Sequence, residues 1–216
     1  VGSMWLRSKD GLVKALYGAS IIQTEINSIQ IKITETTDYP FDVNVTFHVE
    51  VSEPVEFTIS FRKPEWSPRF NLTGVDDFSV QGNLIQVRKN WRSGDQISLR
   101  FEAEVQIQPW RDESIIRYGA LLFCLPLDGD FSPGREYAPG FRDAYYTLAS
   151  PSDLNLRLPP RPEFSLERFV FDPSNPFDSL SLKGSLSDTH GNLHPVQLIP
   201  LGRSILRRVT FPIGGQ

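Results

Sequence analysis

The sequence is poor in the residues that bring disulfides, metals and membranes into an argument. Cys124 is the single cysteine among 216 residues, so no intrachain disulfide can form and no cysteine-built metal site can be assembled. No apolar run approaches the ~18 residues of a membrane-spanning helix. The opening Val1-Gly2-Ser3-Met4-Trp5 carries neither the charged nor the apolar region of a secretory leader. A membrane partner is therefore not expected. Lys and Arg form no cluster and the formal net charge is −4, against the basic stripe that a nucleic-acid partner requires. Helical periodicity is missing over any window of about ten residues. There is no Gly-x-Ser-x-Gly elbow and no glycine-rich phosphate cradle.

What is present points to strands. Hydrophobic residues make up 39% and charged residues 22%, a globular balance, and 15 Phe, 17 Pro and 15 Gly favour short strands joined by turns. Ile29, Ile31 and Ile33 share one face of an alternating run. Val43, Val45, Phe47, Val49 and Val51 do the same, with Asp42, Asn44, Thr46, His48 and Glu50 on the other face. Val55 to Phe61 and Ile97 to Ile107 repeat the pattern, so each run predicts a half-buried strand. Asp38-Tyr39-Pro40, Ser52-Glu53-Pro54, Gln81-Gly82-Asn83 and Ser93-Gly94-Asp95 read as the turns between them.

The character changes after Val105. Pro109-Trp110-Arg111-Asp112 interrupts the alternation, and Leu121-Leu122-Phe123-Cys124-Leu125 is a short apolar run suited to a strand buried on both faces. Residues 129–140 read as an irregular Gly/Pro loop, and Leu158 to Pro162 as an extended surface connector. Strands are expected again at Phe169 to Phe171, Leu180 to Leu182, Val196 to Ile199 and Ile205 to Phe211. The expectation is an all-β fold of two stacked, antiparallel, jelly-roll-like β-sandwich domains, residues 1–108 and 109–216.

Several segments, in order, resemble the C-terminal part of glycoside hydrolase family 127, the β-L-arabinofuranosidase-like group. They are Asp10 to Tyr17, Thr37 to Phe41, Arg62 to Trp66, Asn90 to Asp95, Tyr118 to Phe123, and Leu201-Gly202 through Arg207 to Pro212. The resemblance implies an enzyme with an (α/α)6 barrel, holding the acid and a zinc-bound cysteine nucleophile, followed by β-sandwich domains. The barrel would lie upstream of Asp10. Cys124 does not match the family's paired catalytic cysteines, and Tyr118-Gly119-Ala120 stands where the family usually shows Arg-Gly-Pro. By this resemblance the chain is an accessory region whose partners are the catalytic barrel and a second copy in a homo-oligomer; the rival reading is an independent carbohydrate-binding module, with exposed tryptophans recognising carbohydrate.

The residues themselves assign no catalytic group, no metal and no cofactor. A glycosidase needs two carboxyl groups flanking the bond to be cut. The 26 Asp and Glu sit mostly at turns or on wet faces, as Asp42, Glu50 and Glu56 do. His190 and His194 are four apart, a zinc-binding spacing on a helix, but Gly191 and Pro195 argue for a polar loop. Asp172, Asn175 and Asp178 offer oxygen ligands for calcium, yet Pro173 and Pro176 favour an Asx-turn loop. Trp5, Trp66, Trp91 and Trp110 could each stack on a sugar ring or anchor packing at a strand end, and packing is the expectation for Trp66 and Trp91. Trp110 is the candidate for stacking on a sugar ring.

Overall fold

The computed structural model describes residues 4–213; the first three residues of the opening pentapeptide lie outside that range. The chain divides into two compact units, Val1–Glu104 and Val105–Gln216. The boundary expected at Gln108 falls inside a strand, Val105–Trp110, that pairs along its whole length with Glu113–Tyr118. The alternation from Ile97 to Ile107 is accordingly two strands. Glu102 to Glu104 pair with nothing as strand and separate the units.

The first unit holds β1 (Trp5–Ser8), β2 (Gly11–Lys14), β3 (Ser20–Ile26), β4 (Ile29–Thr36), β5 (Asn44–Val51), β6 (Val55–Arg62), β7 (Phe70–Thr73), β8 (Ser79–Gln81), β9 (Leu84–Trp91) and β10 (Asp95–Phe101). They form two five-stranded sheets, β1-β2-β6-β9-β8 and β3-β4-β5-β10-β7. Each sheet presents its alternating apolar residues to the other. Leu12, Phe57, Ile59, Phe61, Val87 and Trp91 come from one sheet, and Ile31, Ile33, Phe47, Val49, Ile97 and Leu99 from the other, all within one buried cluster. The turns read from the sequence all fall at strand ends: 38–40 and 81–83 join paired neighbours, β4 to β5 and β8 to β9, while 52–54 and 93–95 carry the chain from one sheet to the other. Asn27 and Ser28 close the β3–β4 hairpin with positive φ at both positions, the conformation whose twist matches the flanking strands.

One pairing departs from the antiparallel expectation: β2 runs parallel to β6, with Gly11 opposite Thr58. Gly11 has φ +153°, and a Cβ there would stand 2.0 Å from the Thr58 carbonyl oxygen. Only glycine lets the two backbones approach this closely.

The second unit holds β11 (Val105–Trp110), β12 (Glu113–Tyr118), β13 (Leu121–Pro126), β14 (Gly129–Ala138), β15 (Phe141–Leu148), β16 (Phe164–Arg168), β17 (Leu180–Ser187), β18 (Leu193–Pro200), β19 (Arg207–Arg208) and β20 (Thr210–Phe211). Its main sheet runs β11-β12-β13-β18-β17-β16, with β19 and β20 added to β13 and β12. Register places Ile116, Phe123, Leu198 and Leu182 on one face, all fully buried. Neighbouring Cys124 is buried too, as a strand covered on both faces requires.

Three expectations for this unit are corrected. Residues 129–140 are not an irregular loop: Gly129 to Ala138 pair with Phe141 to Leu148 in a hairpin with register shifts around Glu136. Pro133 and Gly134 hide the alternation, and no buried face imposes one. Phe169 to Phe171 is not a strand. The strand is Phe164–Arg168, one step upstream, and Val170 is 93% exposed. The strand expected over Ile205 to Phe211 is two short bridging pieces.

Candidate functional site

The segments that carry the family resemblance in the first unit meet in space. Tyr17, Tyr39, Trp66 and Phe101 form a chain of rings, with centroids 5.7 Å apart for Tyr17–Tyr39, 6.5 Å for Tyr39–Trp66 and 5.8 Å for Trp66–Phe101. Tyr17 donates its hydroxyl to the Arg62 carbonyl at 2.7 Å, and Arg62 Nε donates back to the Ala15 carbonyl at 2.7 Å. Burial pushes the Tyr17 phenol far above its ordinary value. These residues knit strand ends together; Trp66 is buried in packing.

The turn Asn90 to Asp95 is built the same way. Trp91 is fully buried and donates Nε1–H to the Phe57 carbonyl at 2.9 Å. Asp95 accepts from the Arg92 amide at 2.8 Å and pairs with Lys89 at 2.8 Å. Desolvation works to raise the Asp95 carboxyl, but the Lys89 ammonium and the Arg92 amide outweigh it and hold the group below its ordinary value. A depressed folded pKa gives stability that is present above the unfolded value of about 3.9 and is lost as pH falls through the folded value. Urea midpoints measured at about pH 5 and about pH 3 should therefore fall more for the wild type than for Asp95→Asn. Equal falls in both would remove this role from Asp95.

The buried charges are a pair that the sequence did not announce. Lys14 Nζ and Glu35 Oε2 form an ion pair with both side chains at 0% exposure. Ser20 Oγ donates to Glu35 Oε2 at 2.6 Å and accepts from Lys14 Nζ at 3.1 Å and from Trp5 Nε1 at 3.2 Å. Glu35 Oε1 accepts from the Gly18 amide at 3.1 Å, and the Lys14 ammonium lies 4.7 Å over the Trp5 ring. Burial pulls the Lys14 ammonium below its ordinary value, against the pull of Glu35. The signal was legible in part: Glu35 continues the inward face of Ile31 and Ile33.

Open surface in the first unit includes a polar cleft of about 500 Å³ lined by Arg7, Asp10, Glu25, Asn27, Glu56 and Arg88. Within it Arg88 pairs with Glu56 at 2.9 Å, and Arg7 donates to Thr24 Oγ1 at 2.8 Å. Glu35 does not line it. Glu50 pairs with Lys32 at 2.7 Å, and Asp42 accepts from the Val43 amide at 2.7 Å.

In the second unit, Asp188 organises the His190–His194 loop. It accepts from the His190 amide at 2.8 Å, the Asn192 amide at 2.9 Å and His194 Nε2 at 3.1 Å. Hydrogen bonds from Asn192 and His194 hold its carboxyl far below the ordinary value. Asp172 caps Ser174 at 2.8 Å, and Asp178 pairs with Arg203, so this segment is an Asx-turn loop. Among the described residues no three His, Cys, Asp or Glu side chains converge as metal ligands. Cys124 does not fit the zinc-bound nucleophile that the family resemblance implies. Its thiol is buried, contacts the Ile199 carbonyl at 3.5 Å, and is pushed up to about 11 by desolvation.

Aromatic exposure is concentrated elsewhere. Trp110, at the end of β11, is 55% exposed beside a recess of about 180 Å³ lined by Arg111, Asp112, Glu113 and Thr210. The β14–β15 hairpin, passed over as a loop, exposes Phe131, Tyr137, Phe141, Tyr145 and Tyr146. Phe-Arg-Asp-Ala-Tyr-Tyr at 141–146 was the available signal.

Residues 11–103 match the family described as Beta-L-arabinofuranosidase, GH127 middle domain. No curated protein matches the sequence. Among solved structures, Ara127N, a GH127 beta-L-arabinofuranosidase from Geobacillus stearothermophilus T6, is similar with a TM-score of 0.72 at 21% identity, over 98% of this chain and 35% of its own. A glycoside hydrolase gives 0.69 at 20% identity over 98% of this chain and 37% of its own. A GH127 beta-arabinofuranosidase gives 0.69 at 14% identity, over 98% and 36%. These likenesses show a shared fold, and the chain spans about a third of the length of each structure.

Proposed function

We propose that this chain, a GH127 middle-domain region of a glycoside hydrolase, is a non-catalytic accessory part that supports an (α/α)6 catalytic barrel and contributes to contacts between copies of the enzyme. The single observation that carries the reading is the coverage. Nearly all of this chain corresponds to about a third of each similar hydrolase, and the matched family is a middle domain. The carboxylates support it. Glu35 is locked against Lys14 inside the core, and Glu50 and Glu56 are ion-paired on the surface. The isolated chain is expected to leave aryl arabinofuranosides and related aryl glycosides hydrolysing at the buffer rate. Turnover that survives repurification and disappears on changing one Asp or Glu would defeat the reading.

A second reading, a carbohydrate-binding module, is favoured by the exposed ring of Trp110 beside its polar recess. Calorimetry with arabinose- and galactose-containing oligosaccharides separates the two. Saturable binding abolished by Trp110→Ala would support the module, and heats no larger than dilution would support the accessory role alone.

A further inference from the structure

The β14–β15 hairpin pairs only with itself among the described strands. A two-stranded hairpin is marginal in water, and apolar rings scattered singly need no explanation, whereas a cluster on such an element does. Its two arginines are answered locally: Arg142 pairs with Glu136 at 2.9 Å, and the Arg135 guanidinium lies 5.4 Å over the Tyr137 ring.

Around Asp143 the hairpin is organised. Tyr137 donates its hydroxyl to Asp143 Oδ2 at 2.7 Å, and the Tyr145 hydroxyl reaches the same oxygen at 3.5 Å. A Cβ on Gly134 would stand 2.3 Å from the Tyr145 ring and 2.6 Å from Asp143 Cβ. Glycine at 134 is thus what lets the Tyr145 ring and Asp143 lie against the opposite strand. Both rings remain open to solvent, Tyr137 at 64% and Tyr145 at 58%.

We propose that Tyr137, Asp143 and Tyr145 form a binding surface for a neutral sugar residue of an oligosaccharide. The chemistry selects that ligand. Tyrosine rings take the C–H face of a sugar, while their hydroxyls and the Asp143 carboxylate exchange hydrogen bonds with its hydroxyl groups. An apolar protein partner would bury the Asp143 carboxylate with the two phenols but no counter-charge, which is costly. With Arg142 and Arg135 already facing Glu136 and the Tyr137 ring, an anionic ligand finds no unanswered cation here. The site is distinct from Trp110, and it stands independently of the accessory role.

The test uses the 216-residue chain titrated with arabinose- and galactose-containing oligosaccharides, followed by calorimetry and by amide chemical shifts. The surface predicts saturable binding, with shifts centred on residues 134–145. Tyr145→Ala and Asp143→Asn should each weaken it about tenfold, the loss of one ring contact or one charge-assisted hydrogen bond. Tyr145→Phe keeps the ring and should lose less. Thermal melts should stay unchanged in all three, and Trp110→Ala should leave the affinity intact. Absence of saturable binding, or binding that ignores these variants, overturns the proposal. So does an effect of the variants on self-association alone, which would make the hairpin a protein-contact surface.

Discussion

Replacing Glu35 with alanine is expected to destabilise the protein by about 3–5 kcal/mol, because it leaves the Lys14 ammonium buried without its counter-charge. The exposure of both side chains is 0%, so water cannot take over the lost interaction. Ser20 remains as an acceptor at 3.1 Å and the Trp5 ring at 4.7 Å, and neither neutralises a charge. The lysine will answer by losing its proton more readily, which gives the variant a pH signature. A buried lysine whose folded pKa lies below the unfolded value of about 10.4 binds fewer protons than the unfolded chain between those two values, so stability rises with pH across that window. Urea melts of Glu35→Ala at about pH 7 and about pH 9.5 should show part of the loss recovered at the higher pH.

A double replacement, Lys14→Met with Glu35→Leu, separates charge from packing. Well-packed apolar replacements of a buried pair are commonly neutral or stabilising. Near-native stability in the double variant beside a large loss in the single one would place the cost in the stranded charge. Two comparable losses would place it in the hydrogen bonds from Gly18 and Ser20.

Why this pair escaped the sequence reading is a matter of what alternation can show. The run Ile29-Ile31-Ile33 declares its inward face, and Glu35 sits next on that face. A charged residue at the end of a run reads as the strand leaving the core, because lone buried carboxylates are rare. Only the partner makes its burial acceptable, and Lys14 comes from another sheet, 21 residues earlier by number (35 − 14 = 21). The same limit explains the hairpin at Gly129 to Leu148. Period-two patterning is imposed by a buried face, and a hairpin exposed on both sides has none to impose it. Where a core does press on one side, as in β5 and β6, the strands were legible almost to the residue. The parallel β2–β6 pairing was not legible, since facing patterns alone do not give direction.

Trp91 is where sequence and structure agree most closely, and Trp91→Ala is expected to cost about 3–5 kcal/mol, in line with other buried aromatic truncations. The ring is fully buried at the last position of β9, opposite Val55 at the start of β6. It packs 5.7 Å from the Phe57 ring, and its Nε1–H meets the Phe57 carbonyl at 2.9 Å. Truncation therefore opens a cavity between the sheets and removes the donor for that carbonyl, and the two losses act together. The turn beyond it would resist adjusting, since Asp95 is tied to Lys89 and to the Arg92 amide. Trp91→Phe should lose less than alanine, because it fills most of the space and lacks only the donor. Urea melts of the three proteins decide it. A change below about 1 kcal/mol for Trp91→Ala, the range of surface substitutions, would mean that the ring does not anchor the core in solution.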